Sequence, residues 1–395
     1  MPPWRLSVSR ERTTTAQRGK RESAGVYTLE RDDSEPVGVG LDIDRESTAG
    51  SGAGTTLSLS GHRRDAWMTK ADLSGTRHAA GVIGVGSVGS RHARVYRELP
   101  TTTLAGVSDI DPGTAARTAD EYRTAAMDRS ELLEAVDIAS VAVPTGFHYA
   151  VVRECIDHGV DVLVEGPFVD DIQRGHELAT LARKAGVTVQ VGHVERFDPV
   201  TQVLSDIVRD LEVLAVDIER FEPFPGCESE DSVVRDLLIG DLGILFSLVD
   251  GDISRLSAVG RDGRFVASQF EFDDDSLATV TAGCRTQETV RRVAVDAESC
   301  RVTVDFVDQS VAVHRRSLPQ DVESDGDIRY RCEGVVERPV IETGEPLRAE
   351  IAAFVDAVRT GSEPEVTPAD ALELLRILDR IETDALDVER AVIVP

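Results

Sequence analysis

The stretch GVIGVGSVGS at residues 81–90 decides the fold of a large part of this 395-residue chain. Its apolar start, Gly81 to Ile83, has the composition of a buried strand and leads directly into the spacing G-x-G-x-x-G. That spacing, placed after a strand and before a helix, is typical of a turn that binds a dinucleotide. We therefore predict a Rossmann domain that begins at this strand.

Each glycine of the turn has its own physical task. Gly84 allows the tight turn, Gly86 lets a pyrophosphate approach the backbone, and Gly89 allows close packing of helix on strand. The N–H groups at the start of the following helix, where Ser87 and Val88 lie, point towards the phosphates, and the helix dipole adds positive potential there. These five residues form the core of the predicted cofactor site.

An aspartate twenty residues after the last glycine completes the pattern. Asp109 lies at the end of the predicted second strand, Leu104 to Val107. Its carboxylate would accept hydrogen bonds from the adenine-ribose hydroxyls and would repel a 2′-phosphate, so the sequence favours NAD over NADP. The alternative is a glycine turn that binds no ligand.

Strands and helices alternate through residues 68–195, which predicts an α/β fold with a doubly wound parallel sheet. The pattern then changes: in residues 302–306, apolar and polar side chains alternate with a period of two. We expect residues 196–395 to form an α+β domain with a large, open, mostly antiparallel sheet. That domain is assigned to substrate binding and oligomerisation, with C-terminal helices that pack back on the Rossmann domain.

Residues 1–67 have a different composition, rich in Ser, Thr, Gly and Arg. Their ten basic and ten acidic residues cancel, so residues 68–395 carry the whole net charge of −28. No apolar periodicity there lasts long enough to build a core. We predict a disordered segment, or a spurious extension upstream of a start at Met68, with a functional tail as the alternative.

The charge balance restricts the class of partner. Only three of the 43 basic residues are lysines, against 71 acidic residues. Such a polyanionic surface argues against nucleic-acid binding and resembles that of salt-adapted, halophilic proteins. Neither a signal sequence nor an apolar run of membrane-spanning length is recognisable, so we expect a cytoplasmic protein without membrane contact. The five cysteines show no metal-ligand spacing; we expect them to be reduced, and we predict no metal site.

Several further motifs occur in the order in which one enzyme family has them. They are Val143-Pro144-Thr145-Gly146-Phe147-His148, Glu165-Gly166-Pro167, Val191-Gly192-His193, Arg196-Phe197-Asp198-Pro199 and Glu345-Pro346-Leu347-Arg348. Over most of residues 79–385 the chain thereby resembles the Gfo/Idh/MocA family of NAD(P)-dependent sugar and inositol oxidoreductases. The resemblance implies that Pro144, Thr145, His148 and Glu165 lie beside the cofactor.

Two departures from the family pattern fall on the proton chemistry. The family's E-K-P carries Gly166 in place of the lysine that reaches the substrate hydroxyl. Residues 236–248 look most like the sugar-nucleotide 3-dehydrogenase motif, roughly D-L-x-I-H-D-I-D, but Gly240 replaces its proton-abstracting histidine and Gly243 its second aspartate. A positioned general base contributes about 10²–10⁴-fold in rate, so we expect altered or impaired catalysis.

Asp236 and His193 are the catalytic candidates that remain, with His148 and Asp241 as further proton acceptors. A structural role is the alternative for each, such as capping a helix that starts near Gly240. Three functions stay open: oxidation of a sugar or sugar-nucleotide hydroxyl, a non-catalytic NAD-binding regulator or partner subunit of an active paralogue, and a structural module. The open sheet also suggests a homo-oligomer, a dimer or a tetramer.

Overall fold

The computed structural model describes residues 77–223, 233–261, 264–316, 320–324, 327–331 and 334–387, together with three short strands nearer the N-terminus. The chain divides into two compact units, residues 1–74 and 75–395. In the first unit, β1 (Leu6–Ser7), β2 (Val26–Leu29) and β3 (Val37–Gly40) form an antiparallel sheet. The rest of the segment predicted to be disordered lies outside the described residues.

The second unit begins with a six-stranded parallel sheet. Its strands are β4 (His78–Ile83), β5 (Thr102–Ser108), β6 (Ala125–Ala126), β7 (Ile138–Val141), β8 (Asp161–Val164) and β9 (Val189–Val191). They are ordered β6-β5-β4-β7-β8-β9. Strand β7 is buried along its whole length, because helices cover both faces of a doubly wound sheet. The predicted Rossmann architecture is therefore confirmed.

Five helices connect these strands, and local sequence sets their ends. They are α1 (Ser87–Glu98), α2 (Pro112–Tyr122), α3 (Arg129–Ala135), α4 (His148–Asp157) and α5 (Ile172–Ala185). The Asp111 side chain caps α2 by accepting hydrogen bonds from two backbone N–H groups, and Pro112 occupies the first turn. Gly186 ends α5 in the left-handed conformation. Both ends follow local sequence signals for helix termini.

The second sheet is open and mostly antiparallel, as predicted. It contains β10 (Val213–Pro223), β11 (Ile253–Arg261), β12 (Phe265–Phe272), β13 (Leu277–Thr286), β14 (Val290–Ala297), β15 (Cys300–Asp305), β16 (Ser310–Arg316) and β19 (Gly334–Glu337), in the order β11-β12-β13-β10-β14-β15-β16-β19. In the described residues of this sheet, β10 and β13 pair in parallel and the other neighbours pair antiparallel. Strands β17 (Gln320–Ser324) and β18 (Asp327–Arg331) form a separate pair. Along β15 buried and partly exposed side chains alternate, so one face of the sheet packs on the core and the other faces outwards.

The remaining helices are α6 (Pro199–Val208), α7 (Val233–Leu248), α8 (Pro346–Thr360) and α9 (Pro368–Asp387). The sequence prediction for α7 was wrong: the helix begins at Val233, so Gly240 and Asp241 lie inside it, and Asp241 cannot cap its start. The glycine at 240 lies beside the Glu195 side chain, which occupies the space that a Cβ there would take. The side chain of Asp236 lies outside the described residues, so its catalytic role stays a prediction.

The C-terminal helices contact both sheets. Helix α8 places Ile351, Phe354 and Val355 in a core shared with α1, and α9 packs on α5, α7 and β11. The α5–α9 contact is close: a Cβ on Gly175 would lie 2.4 Å from Cδ2 of Leu372. The division predicted near residue 195 falls within this second compact unit and stays a prediction.

The cysteines differ in part from expectation. Cys155 and Cys300 are free and buried, as expected. Cys284 is disulfide-bonded, which contradicts the prediction for that residue, because a disulfide depends on spatial proximity that spacing along the chain does not reveal. Among the described residues, no helix is long and apolar enough to cross a membrane.

Candidate active site

The glycine turn between β4 and α1 has the tight geometry that its sequence predicts. Gly84 has φ +83°, and a Cβ there would lie 2.7 Å from the Ala142 carbonyl oxygen. A Cβ on Gly89 would lie 1.8 Å from the Gly84 carbonyl oxygen. By contrast, a Cβ on Gly86 would meet no atom within 4 Å. Two of the glycines are therefore required by the protein itself, while the third leaves open space where a pyrophosphate would approach.

Helix α1 begins with donors that the protein leaves uncapped. Gly86 supplies no side-chain cap, and the first turn holds no acidic residue that would compete with a bound anion. Ser87 is exposed and Val88 is half-buried. The residues present thus fit a dinucleotide pyrophosphate at this helix end.

Asp109 follows β5 and faces the same turn. Its Oδ2 accepts a hydrogen bond from the Val85 N–H at 2.7 Å, and its Oδ1 accepts one from the Asp111 N–H at 2.9 Å. The next residue, Ile110, is 99% exposed. Sequence reasoning missed this side chain, although its place directly after the predicted ribose-binding aspartate could have marked it as an apolar surface for the adenine ring.

His148, predicted beside the cofactor, lies inside the fold with 1% of its surface exposed. Its Nε2 is 2.8 Å from the Val143 carbonyl oxygen and its Nδ1 is 3.0 Å from that of Pro167. The imidazole therefore ties the P-T-x-x-H loop to the E-G-P loop. The neighbouring Pro144 is exposed and Thr145 is half-buried at the crevice.

Glu165 ends β8 and connects the crevice to a buried polar chain. Its Oε1 lies 2.7 Å from Nε2 of His92, although the N–H does not point straight at that oxygen. Nδ1 of His92 contacts Oγ of Ser140, which also contacts the hydroxyl of Tyr96. Burial alone would raise the pKa of Glu165, but its contact with His92 and the charge of Arg91 hold that pKa below its usual value. This series of polar contacts could not be predicted from the sequence, because its members come from three separate elements.

The position of the family's missing lysine is sterically closed. A Cβ on Gly166 would lie 2.8 Å from the Gly192 carbonyl oxygen, a backbone atom at the end of β9. The Gly192 N–H in turn donates to the Val164 carbonyl oxygen. Because strand ends do not move as a side chain does, residue 166 accommodates only glycine without a backbone shift.

His193 is 3% exposed, and its backbone N–H donates to Oε1 of Glu350 at 2.8 Å. Burial lowers the pKa of His193 to about 4, against the opposing charge of Glu195, so the ring is neutral at neutral pH. Burial also raises the pKa of Glu350 well above its usual value, and the charge of Glu165 adds to this. The Nε2 atom of His193 is buried without a hydrogen-bond partner.

Helix α7 carries Gly240 and Gly243 on the side that faces Glu195 and His193. A Cβ on Gly240 would lie 2.7 Å from Cδ of Glu195, and a Cβ on Gly243 would lie 3.2 Å from Nδ1 of His193. Both polar side chains belong to the short 3₁₀ segment after β9, Val194–Phe197, and the residue before it. Glu195 was missed from the sequence, although it stands between the V-G-H and R-F-D-P motifs.

Charged residues from the second sheet complete the cluster. Nη1 of Arg220 lies 3.5 Å from Oδ1 of Asp241 and 3.9 Å from Oε1 of Glu195, and Nη2 of Arg291 lies 3.8 Å from that same glutamate oxygen. Arg220 and Arg291 are directly opposite each other on β10 and β14. Burial raises the pKa of Asp241 to about 6, although both arginines oppose this. Within the described part of the chain, no group of three or more His, Cys, Asp or Glu residues could hold a metal ion.

The glycine turn follows the carboxyl end of a strand in a parallel sheet, and the open second sheet brings further charged groups to the segment after β9. Together these features define the class of NAD-binding oxidoreductases with two sheet layers. Residues 79–193 match a family model, GFO_IDH_MocA, described as an oxidoreductase family with an NAD-binding Rossmann fold. Over these residues the chain is similar to the Gfo/Idh/MocA family.

Individual relatives agree with this assignment. UDP-N-acetylglucosamine 3-dehydrogenase of Acidithiobacillus ferrooxidans is 29% identical over 288 residues, which cover 70% of this chain and 88% of that protein. A solved structure of that enzyme has a TM-score of 0.72 at 25% identity and covers 79% of this chain and 98% of that one. D-xylose 1-dehydrogenase (NADP(+)) 2 of Haloferax volcanii is 22% identical over 320 residues, which cover 77% of this chain and 96% of that protein.

Proposed function

We propose that the protein oxidises a hydroxyl group of a sugar or a sugar nucleotide, with NAD as the acceptor. The observation that carries the proposal is the glycine turn, in which Gly84 and Gly89 are sterically required and Gly86 leaves room for a ligand. When bound, the dinucleotide supplies the acceptor for hydride from the substrate carbon. We retain the homo-oligomer and the cytoplasmic location as part of the same proposal.

The chain's own residues have separate tasks in this proposal. The N–H groups at Ser87 and Val88 bind the pyrophosphate. The Asp109 carboxylate accepts hydrogen bonds from the ribose hydroxyls. The wall beside the nicotinamide is assigned to Pro144, Thr145, His148 and Glu165. His193 and Asp236 stay the candidates that the sequence singled out for the hydroxyl proton.

NAD is preferred over NADP on electrostatic grounds. The Asp109 carboxylate is already engaged by two backbone N–H groups, which hold it in place at the end of β5. A 2′-phosphate there would meet a negative charge in a chain with a net charge of −28. The relative from Haloferax volcanii bears NADP in its name, so both cofactors belong in any test.

The substrate class is inferred from the named relatives, which act on UDP-N-acetylglucosamine and D-xylose. We favour a sugar nucleotide, because residues 236–248 follow the motif of that branch and the 3-dehydrogenase covers both domains of this chain. The second candidate is a non-catalytic NAD-binding regulator or partner subunit. It is favoured by Gly166 and Gly240, which stand where the family's proton-handling side chains do.

The test is a turnover screen in high salt, with NAD and NADP each offered UDP-N-acetylglucosamine, myo-inositol, scyllo-inositol and D-xylose. Formation of reduced cofactor, followed by its absorbance, is the expected result. NAD-induced thermal stabilisation without turnover on any of these alcohols would favour the regulator instead. Absence of any stabilisation by either cofactor would refute both candidates.

A further inference from the structure

We propose that Glu195 is the proton acceptor of this enzyme, standing in the space that a side chain at residue 240 would otherwise fill. The inference rests on the proposed oxidation of a hydroxyl group and names the residue that handles its proton. Glu195 belongs neither to the glycine turn nor to the catalytic candidates found from the sequence.

The first observation is steric. A Cβ on Gly240 would lie 2.7 Å from Cδ of Glu195, 2.8 Å from its Oε1 and 3.0 Å from its Cγ. Real Cβ atoms do not approach other atoms so closely, so a larger residue at 240 would displace the flexible Glu195 side chain from this position. The glycine in the middle of α7 thus has a reason: it admits a carboxylate from the neighbouring segment.

The second observation is location. Glu195 lies in the segment that follows β9 directly, four residues after that strand ends at Val191. The carboxyl ends of β8 and β9 meet where Gly166 faces Gly192. In doubly wound sheets the ligand binds outside the carboxyl ends of the strands. Glu195 is therefore at the cofactor edge of the sheet and, at the same time, against α7 of the second domain.

The third observation is that the Glu195 side chain is more exposed to solvent than those of Asp241 and His193. The Glu195 side chain is 21% exposed, whereas that of Asp241 is 2% exposed and His193 is 3% exposed. Glu195 is therefore the most exposed of these three side chains. The charged and titratable groups around Glu195 are His193, Arg196, Arg220, Asp241, Arg291 and Glu350.

The two arginines hold the carboxylate without covering it. Arg220 and Arg291 approach Oε1 of Glu195 to 3.9 and 3.8 Å, which are ion-pair distances and not tight hydrogen bonds. The carboxylate is thus oriented and still has an oxygen that can accept a proton.

The step balances as follows. Glu195 takes the proton of the substrate hydroxyl: the O–H bond of the alcohol breaks and a carboxyl O–H bond forms. The electron pair left on oxygen forms the C=O bond, and hydride leaves the same carbon for the oxidised dinucleotide, which is reduced. The carboxyl group later releases its proton to solvent, so the alcohol is oxidised to a ketone and one proton is freed.

The activity test compares Glu195→Gln with the matched control Glu222→Gln, which removes another carboxylate beside Arg220. With UDP-N-acetylglucosamine and NAD, we expect kcat to fall about 10²–10⁴-fold in the first variant only. Calorimetric Kd for UDP-N-acetylglucosamine should change less than about threefold in both, because the amide keeps the shape and one acceptor. Glu195→Asp should retain part of the activity.

A second test measures thermal stability first and turnover second. Gly240→Ala should raise Tm more in a Glu195→Gly background than in the natural background, because alanine favours a helix interior in both and displaces Glu195 only in the natural one. Gly240→His combined with Glu195→Gly should regain turnover that Gly240→His alone lacks.

The outcomes separate the two proposals. If the wild type turns over and Glu195→Gln keeps kcat within a factor of about three, the role of Glu195 is refuted and the oxidoreductase stands. Additive Tm changes in the double variant would refute the shared space. A wild type that binds NAD but is inert on the whole panel overturns the oxidoreductase and this inference together.

Discussion

Replacing Gly86 with alanine should weaken cofactor binding and leave folding nearly unchanged. The new Cβ would meet no atom within 4 Å, and Gly86 has φ −66°, which alanine adopts without strain. Alanine reduces the entropy of the unfolded chain, worth about 0.4–1 kcal/mol, but it is a poorer N-cap than glycine. These effects oppose each other, so the free energy of unfolding should change by less than about 1 kcal/mol and Tm by no more than about 4 °C.

The same methyl group occupies the space that a pyrophosphate would take. It would separate the phosphates from the N–H groups at the start of α1, where Ser87 lies exposed. Loss of one hydrogen bond to a charged group costs about 1.5–3 kcal/mol, which raises Kd for NAD about 10- to 150-fold. Fluorescence titration with NADH, and thermal shift with NAD, measure the effect.

Gly89→Ala is the control, because it should destabilise the fold, which Gly86→Ala should leave nearly unchanged. Its Cβ would lie 1.8 Å from the Gly84 carbonyl oxygen, so the turn or α1 must move. A loss of several kcal/mol of stability is expected, with Tm falling well below that of Gly86→Ala. The reasoning fails if Gly86→Ala binds NADH within about threefold of the wild type, or if Gly89→Ala melts at the wild-type temperature.

Three further predictions concern buried or charged side chains. Asp241 has its pKa raised from 3.8 to about 6, so its contribution to stability is present below pH about 4 and is lost as the pH rises through about 6. Asp241→Asn should therefore exceed the wild type in Tm at pH 8, and the difference should vanish near pH 4; a pH-independent difference would contradict this. Ser140→Ala removes the partner of His92 and Tyr96, both buried, and should cost about 2–5 kcal/mol in urea unfolding; a cost below about 0.5 kcal/mol would show that these groups find other partners. Asp109→Asn keeps an acceptor for the Val85 N–H but removes the charge, so the ratio of NADP to NAD affinity should rise about tenfold, and an unchanged ratio would disprove the electrostatic argument.

The extent of sequence prediction differs between the parallel sheet with its helices and the rest of the chain. The glycine turn, the Asp111 cap and the Gly186 helix end were all predictable because each depends on residues within a few positions of one another. The start of α7 was not, since a glycine inside a buried helix looks like a helix boundary until its neighbour is known. The disulfide of Cys284 was not predicted either, because it depends on proximity in space that spacing along the chain does not reveal.

The sequence by itself determined the parallel sheet, the dinucleotide turn and the loss of the family's lysine and histidine. These are properties of hydrophobic periodicity, of backbone conformations that only glycine adopts, and of residue identity at motif positions. Only the tertiary structure decided what stands in place of the lost groups. Glu195 and Gly240 are 45 positions apart along the chain, and no local rule relates them. Packing of α7 against the segment after β9 places the carboxyl group within 3 Å of the missing Cβ, and on this contact we base the proposal that Glu195 accepts the proton.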